Sequence, residues 1–176
     1  TENVTVSHYR LSLHLSLAII IISIIFWMLL CIKRKNIKKF FSNNKENYYF
    51  YFLISLILLQ VILGAFVSGL DAGRIYQTWP LMNQNYFPND VELNFIKDFF
   101  DFDNHSLLQF YHRNLAYFIL FVIIALSFFV FKKNDKKLTN SFCLLSFFLF
   151  FQIILGILTL VSGLNIYLAS AHQIGS

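Results

Sequence analysis

Residues 104–117 read Asn-His-Ser-Leu-Leu-Gln-Phe-Tyr-His-Arg-Asn-Leu-Ala-Tyr, and they open an apolar run that continues to residue 131. An acidic, polar segment ends where they begin. His112 and Arg113 therefore stand at the mouth of the run, where water gives way to lipid. A neutral imidazole there can ligate a metal, and the guanidinium beside it can hold a carboxylate at the membrane surface. What else the chain brings to that depth decides the chemistry.

Outward from this run, apolar segments recur on both sides. Helices are predicted over residues 11–32, 48–70, 106–131 and 141–164, and a fifth begins near residue 166. Each full segment is long enough to cross a hydrocarbon layer of about 30 Å at about 1.5 Å per residue. Composition agrees: 57% of residues are hydrophobic, 13% are charged and mean hydropathy is +0.62. Soluble domains carry about a quarter charged residues, so templates for water-soluble enzymes do not apply. The fold class is all-α, a polytopic transmembrane bundle of four full spans and a truncated fifth. Because residue 1 is Thr and the last residues enter a new apolar segment, the sequence is expected to be a piece of a longer protein.

A net charge of +5 would suit nucleic acid, but the basic residues collect between apolar runs, which is a topology signal. Lys33, Arg34, Lys35, Lys38, Lys39 and Lys45 lie between the first and second helices. Lys132, Lys133, Lys136 and Lys137 lie between the third and fourth. These loops are expected on the cytoplasmic side, so the first, third and fifth helices start on the opposite side. The tyrosines and Phe50 of residues 48–51 read as an interfacial aromatic belt. The long segment 71–105 is expected to be functional, with Tyr76-Gln-Thr-Trp-Pro-Leu-Met82 on the membrane surface. Asp71 and Trp79 are candidates for organising it. Cys31 and Cys143 form no CxxC motif and read as buried, inert thiols.

Three histidines fall at one depth. His14, His112 and His172 each sit near the start of a helix running inward, and the first two lie about 29–30 Å from the basic rim at helical rise. A single histidine there reads as an interfacial residue bonded to a carbonyl, while His8 and His105 lie in polar flanks and are taken as surface residues. Ionisable groups inside lipid are a functional signal, and matched imidazoles on neighbouring helices are the arrangement that clamps heme iron from both faces. Arg10, four residues before His14, and Arg113 are each placed for a heme propionate or for lipid phosphate.

The chain also repeats itself. Gln60-Val-Ile-Leu-Gly64 is echoed by Gln152-Ile-Ile-Leu-Gly156, and Ser68-Gly-Leu70 by Ser162-Gly-Leu164. Tyr9 and His14 match Tyr167 and His172 in spacing. A duplicated four-helix unit follows: residues 48–176 form one copy holding His112 and His172, and residues 1–47 carry the last helix of an earlier copy with its basic loop.

These residues resemble the heme A synthase family. Ser7-His-Tyr-Arg-Leu-Ser-Leu-His-Leu15, Leu63-Gly-Ala-Phe-Val-Ser-Gly-Leu-Asp-Ala-Gly73, Thr78-Trp-Pro-Leu-Met82, Gln109-Phe-Tyr-His-Arg113 and Ala171-His-Gln173 occur in that order in its members. The resemblance implies helices four to seven and the beginning of helix eight of an eight-helix protein. It implies that His112 and His172 ligate a heme b cofactor, and that His14 is one axial ligand of the substrate heme. The family oxidises a methyl group of heme O to the formyl group of heme A, with water-derived oxygen and electrons leaving through the second heme. The family's catalytic glutamate and first histidine belong to a helix outside this stretch. No catalytic residue is therefore assigned here, and the stretch alone is expected to be inactive. The cysteine pair of some members is missing from residues 71–105.

Heme O, membrane lipid, heme O synthase and the terminal oxidase assembly are the implied partners, without nucleic acid. A bacterial inner membrane is the expected location, a mitochondrial one the alternative. Two other functions compete: a bis-histidine cytochrome b carrying electrons, and a transporter or assembly factor without redox chemistry.

Overall fold

The computed structural model describes residues 7–34 and 47–175. Most of the expected basic loop, with Lys35, Lys38, Lys39 and Lys45, lies outside the described residues. Five helices follow in order: α1 (His8–Arg34), α2 (Asn47–Gly69), α3 (His105–Lys132), α4 (Lys136–Val161) and α5 (Ile166–Gly175). The first four are long and apolar enough to cross a membrane. Among the described residues there is no strand beyond an isolated bridge between Met82 and Asn85. The chain is an all-helical, polytopic membrane protein.

Helix ends follow local chemistry. Asn104 caps α3, its side chain accepting from Leu107 N at 3.0 Å. Asp135 caps α4 by accepting from Lys137 N at 2.9 Å and Leu138 N at 3.2 Å. That cap starts α4 five residues before the predicted 141, because Asp135 satisfies amides that water would otherwise have to reach. Lys136 and Lys137 therefore belong to the first turn of α4 rather than to a loop. At its far end α4 closes through Ser162, Gly163 at φ 71 and Leu164 at φ 62, with Leu164 N bonded to Thr159 O at 2.9 Å. The matching Ser-Gly-Leu of α2 ends differently: the left-handed residue is Asp71, at φ 53. Asn165 explains the contrast, since it must cap the next helix at once, accepting from Tyr167 N at 3.0 Å.

Packing runs α1 on α2, α2 on α3, α3 on α4 and α4 on α5. The apolar core lies toward the basic rim, where Leu53 of α2, Ile119, Ile123, Leu126 and Val130 of α3 and Phe142 of α4 gather. In lipid such a core holds by close packing, because tails are as apolar as leucine. Ile22, Phe26, Phe121, Phe128 and Phe147 stay exposed on outer faces, as lipid contact requires. Some hydroxyls inside the spans turn back onto their own helix: Ser16 bonds Ser12 O at 2.7 Å and Thr159 bonds Leu155 O at 2.8 Å. Cys31 and Cys143 are free; Cys31 is partly buried and Cys143 is exposed, so burial does not explain the second thiol.

The opposite end of the bundle is polar and holds the long connection between α2 and α3. Short 3-10 turns at Ala72–Arg74 and Ile96–Phe100 give it shape. The connection does more than lie on a surface, because Tyr76 and Met82 are buried. Trp79 remains 44% exposed, in keeping with a belt position. Asp71 takes the left-handed turn and faces Arg74 at 3.8 Å.

Candidate functional site

His112 lies on α3 two turns in from the Asn104 cap, and its ring rests on α2. Gly64 makes that possible. A Cβ built there would stand 3.1 Å from His112 Cε1, so any larger residue would push the imidazole away. One turn earlier on the same face of α2, Gln60 donates from Nε2 to His112 O at 3.1 Å and lies 3.4 Å from His112 Nε2.

The second pair of helices repeats the arrangement. His172 of α5 rests on α4 at Gly156, where a Cβ would meet its Cε1 at 2.9 Å. Gln152 donates from Nε2 to His172 O.

Both rings keep a buried Nδ1 with no protein partner among the described residues. An unsatisfied polar atom of this kind costs about 1–3 kcal/mol, so each ring has a reason to take an external partner. Among the described residues no group of three or more His, Cys, Asp and Glu gathers around a common point. Two imidazoles are too few for an ion that needs a full protein shell. They suit a metal that brings its own equatorial ligands, as heme iron does. Donor chemistry, the buried Nδ1 atoms and the bare glycine floors therefore fit rings that ligate heme iron.

Arg113 gives two of its three nitrogens to the outer connection. Its Nη2 donates to Tyr76 O at 2.7 Å, and its Nη1 to Thr78 O at 2.9 Å and Leu81 O at 3.4 Å. Only Nε is buried without a partner. Gln109, one turn earlier and buried, donates to the same Tyr76 O at 2.8 Å. Two polar residues of α3 thus fasten the outer connection over the histidine end of the bundle. Further along that connection, Asp90 accepts from Tyr76 Oη at 2.5 Å and from Ser106 Oγ at 2.6 Å.

The remaining candidates stand apart. His14 is exposed on α1, about 200° of helical turn from buried Ser12, which faces α2 at Ile62 O. Arg10 is exposed as well. His105 is a surface residue, as read from the sequence. His8 is not: its side chain is only 11% exposed, lies 3.2 Å from Asp103 through Nε2 and packs on Phe66 and Gly69. The sequence reading noticed Gln60, Gly64, Gln152 and Gly156 as a repeat but gave them no contact with the histidines. Gln109 stood only as part of the Gln-Phe-Tyr-His-Arg motif, and Asp90 and Ser106 were given no role. A glutamine inside an apolar span is the signal that could have found the first pair, since such a group must be bonded.

The family model described as cytochrome oxidase assembly protein matches residues 1–176. A protein named heme A synthase from Pelagibacter ubique is 49% identical over 176 residues, covering 99% of this chain and 51% of its own length. One of the same name from Rickettsia bellii is 36% identical over 171 residues, covering 96% and 51%. Another, from Maricaulis maris, is 33% identical over 178 residues, covering 100% and 51%. The chain spans about half the length of the curated relatives it matches. No solved structure matches. A match running from the first residue to the last, over helices that set His112 on Gly64 and His172 on Gly156, leaves one conclusion: the chain belongs to the cytochrome oxidase assembly protein family.

Proposed function

We propose that this chain is the cofactor half, with one helix of the substrate half, of a heme A synthase that converts a methyl group of heme O to the formyl group of heme A for terminal oxidases. The observation that carries this reading is the pair of half-buried imidazoles, each backed by a glycine and left with a buried, unpartnered nitrogen. Residues 48–176 form the unit that holds heme b through His112 and His172. Residues 1–47 contribute His14 to the substrate heme, and the exposure of that ring on α1 leaves it available. The bound heme would accept electrons released as the methyl carbon is oxidised with oxygen from water. The chain's own part is to hold and orient the rings, and to keep the outer connection closed above them through Arg113 and Gln109. Arg10 and the free Nε of Arg113 are the groups proposed to meet propionates. Heme O synthase, as supplier of substrate, and the oxidase assembly are the proposed partners. The location is a bacterial inner membrane.

Extraction of hemes from cells with and without the gene tests the reading. Loss of heme A with accumulation of heme O is the expected result. An unchanged heme pool would favour the second reading, a bis-histidine electron carrier, which the same pair of rings supports. Purified full-length protein without a Soret band would defeat both. Residues 1–176 alone are expected not to oxidise heme O, and turnover by them would contradict the division of labour.

A further inference from the structure

We infer that Gln60 and Gln152 are positioning residues that fix the angle at which His112 and His172 present their rings. This deepens the proposed function and rests on those rings being heme ligands. Metal-bound histidines are usually oriented by a hydrogen bond from the ring nitrogen that does not bind metal. Here Nδ1 is the nitrogen each ring leaves without a partner among the described residues, and the other nitrogen of His112 has Gln60 Nε2 beside it at 3.4 Å, so orientation has to come from the neighbouring helix.

It comes from two contacts four residues apart on the neighbouring helix. Gln60 Nε2 donates to the carbonyl of His112 itself, at 3.1 Å. A helical carbonyl has a second lone pair to offer, so the bond does not compete with the helix. It locks the slide and rotation of α3 against α2 at the ligand residue, not at a neighbour. One turn further, Gly64 brings bare backbone against the ring, within 3.1 Å of Cε1 for any added Cβ. The backbone is held on one side and the ring is backed on the other, which leaves the imidazole little freedom to swing.

The same construction occurs at His172. Gln152 donates to its carbonyl, and Gly156 backs its ring so closely that an added Cβ would stand 2.9 Å from Cε1. No residue is shared between the two pairs of helices. A glutamine inside lipid is costly to keep unless bonded, and both are bonded to a ligand histidine's own carbonyl.

The test uses the heme-loaded full-length protein with Gln60→Leu, Gln152→Leu and Gly64→Ala. The readouts are the electron paramagnetic resonance g values of the low-spin ferric heme, which report the angle between ligand planes, and its midpoint potential. We expect heme to stay bound and low-spin, with displaced or broadened g values and a shifted potential in all three. Should the leucine variants not fold, Gln60→Met and Gln152→Met keep length without a donor and are read in the same way. Wild-type g values and potential in every folded glutamine variant would overturn the inference while leaving the heme ligands in place. Wild-type protein lacking any low-spin heme would take down both the inference and the reading beneath it.

Discussion

At the scale of single residues, the outer half of the bundle is governed by polar groups that each have one structural task. His112 and His172 carry the sharpest consequence. Replacing either with Ala is expected to abolish the low-spin heme b signal of the full-length protein, checked by optical spectra of the oxidised and reduced forms. An intact signal after both changes would remove the assignment. Asp90 gives a pH prediction. Burial disfavours its charge, but hydrogen bonds from Ser106, from Tyr76 and from its own backbone amide outweigh that and hold its pKa below the ordinary value. A depressed folded-state pKa stabilises above the unfolded value of about 3.9, and the contribution is lost as pH falls through the folded value. Amide-exchange protection of residues 76–90 should therefore be flat near neutrality and decline below about pH 4. Asp90→Asn should flatten that decline. A decline of equal size in the variant would place its origin in another group.

At the scale of elements, caps decide where water ends. Asn104 satisfies Leu107 N at the start of α3, only eight residues before His112. Asn104→Ala is expected to cost about 1 kcal/mol, measured as a lowered midpoint in thermal unfolding of detergent-solubilised protein. Fraying of that turn should also loosen Ser106 from Asp90, so exchange in the outer connection should rise together with it. Asp135 does the same for α4 while standing before Lys136 and Lys137. A helix start is a poor place for cations on account of the helix dipole. Their presence there answers to membrane orientation, with the nearby carboxylate offsetting the local cost.

At the scale of the whole molecule, lengths and charge made the architecture legible before any coordinates. Four apolar runs with lysines at alternate ends admit few arrangements, and the observed spans lie within a few residues of the predicted ones except at the start of α4. There the cap Asp135 looked like one more loop residue. That His112 and His172 each stand about two turns into their helices was legible as well, because depth along a helix can be counted. What could not be counted was lateral contact. Nothing in sequence spacing tells that Gln60 reaches a carbonyl on α3, or that Arg113 spends both terminal nitrogens on carbonyls of the loop. The burial of His8 was hidden for a like reason, since it depends on the crossing of α1 over Gly69. Orientation remains to be measured. A reporter enzyme active only in the cytoplasm should work when inserted after Asn134 and fail when inserted at Gln84. The reverse pattern would invert the bundle.

Tyr76 O accepts from Gln109 at 2.8 Å and from Arg113 at 2.7 Å, so both of its lone pairs are engaged and one donor is charged. Such a carbonyl must vibrate at lower frequency than its neighbours. Isotope-edited infrared spectroscopy with carbon-13 at the Tyr76 carbonyl should find a red-shifted amide band. Arg113→Lys, which lacks the planar fork, should move that band back toward the value of a singly bonded peptide. That one oscillator would then report, in a working membrane, whether the cover over the histidines is shut.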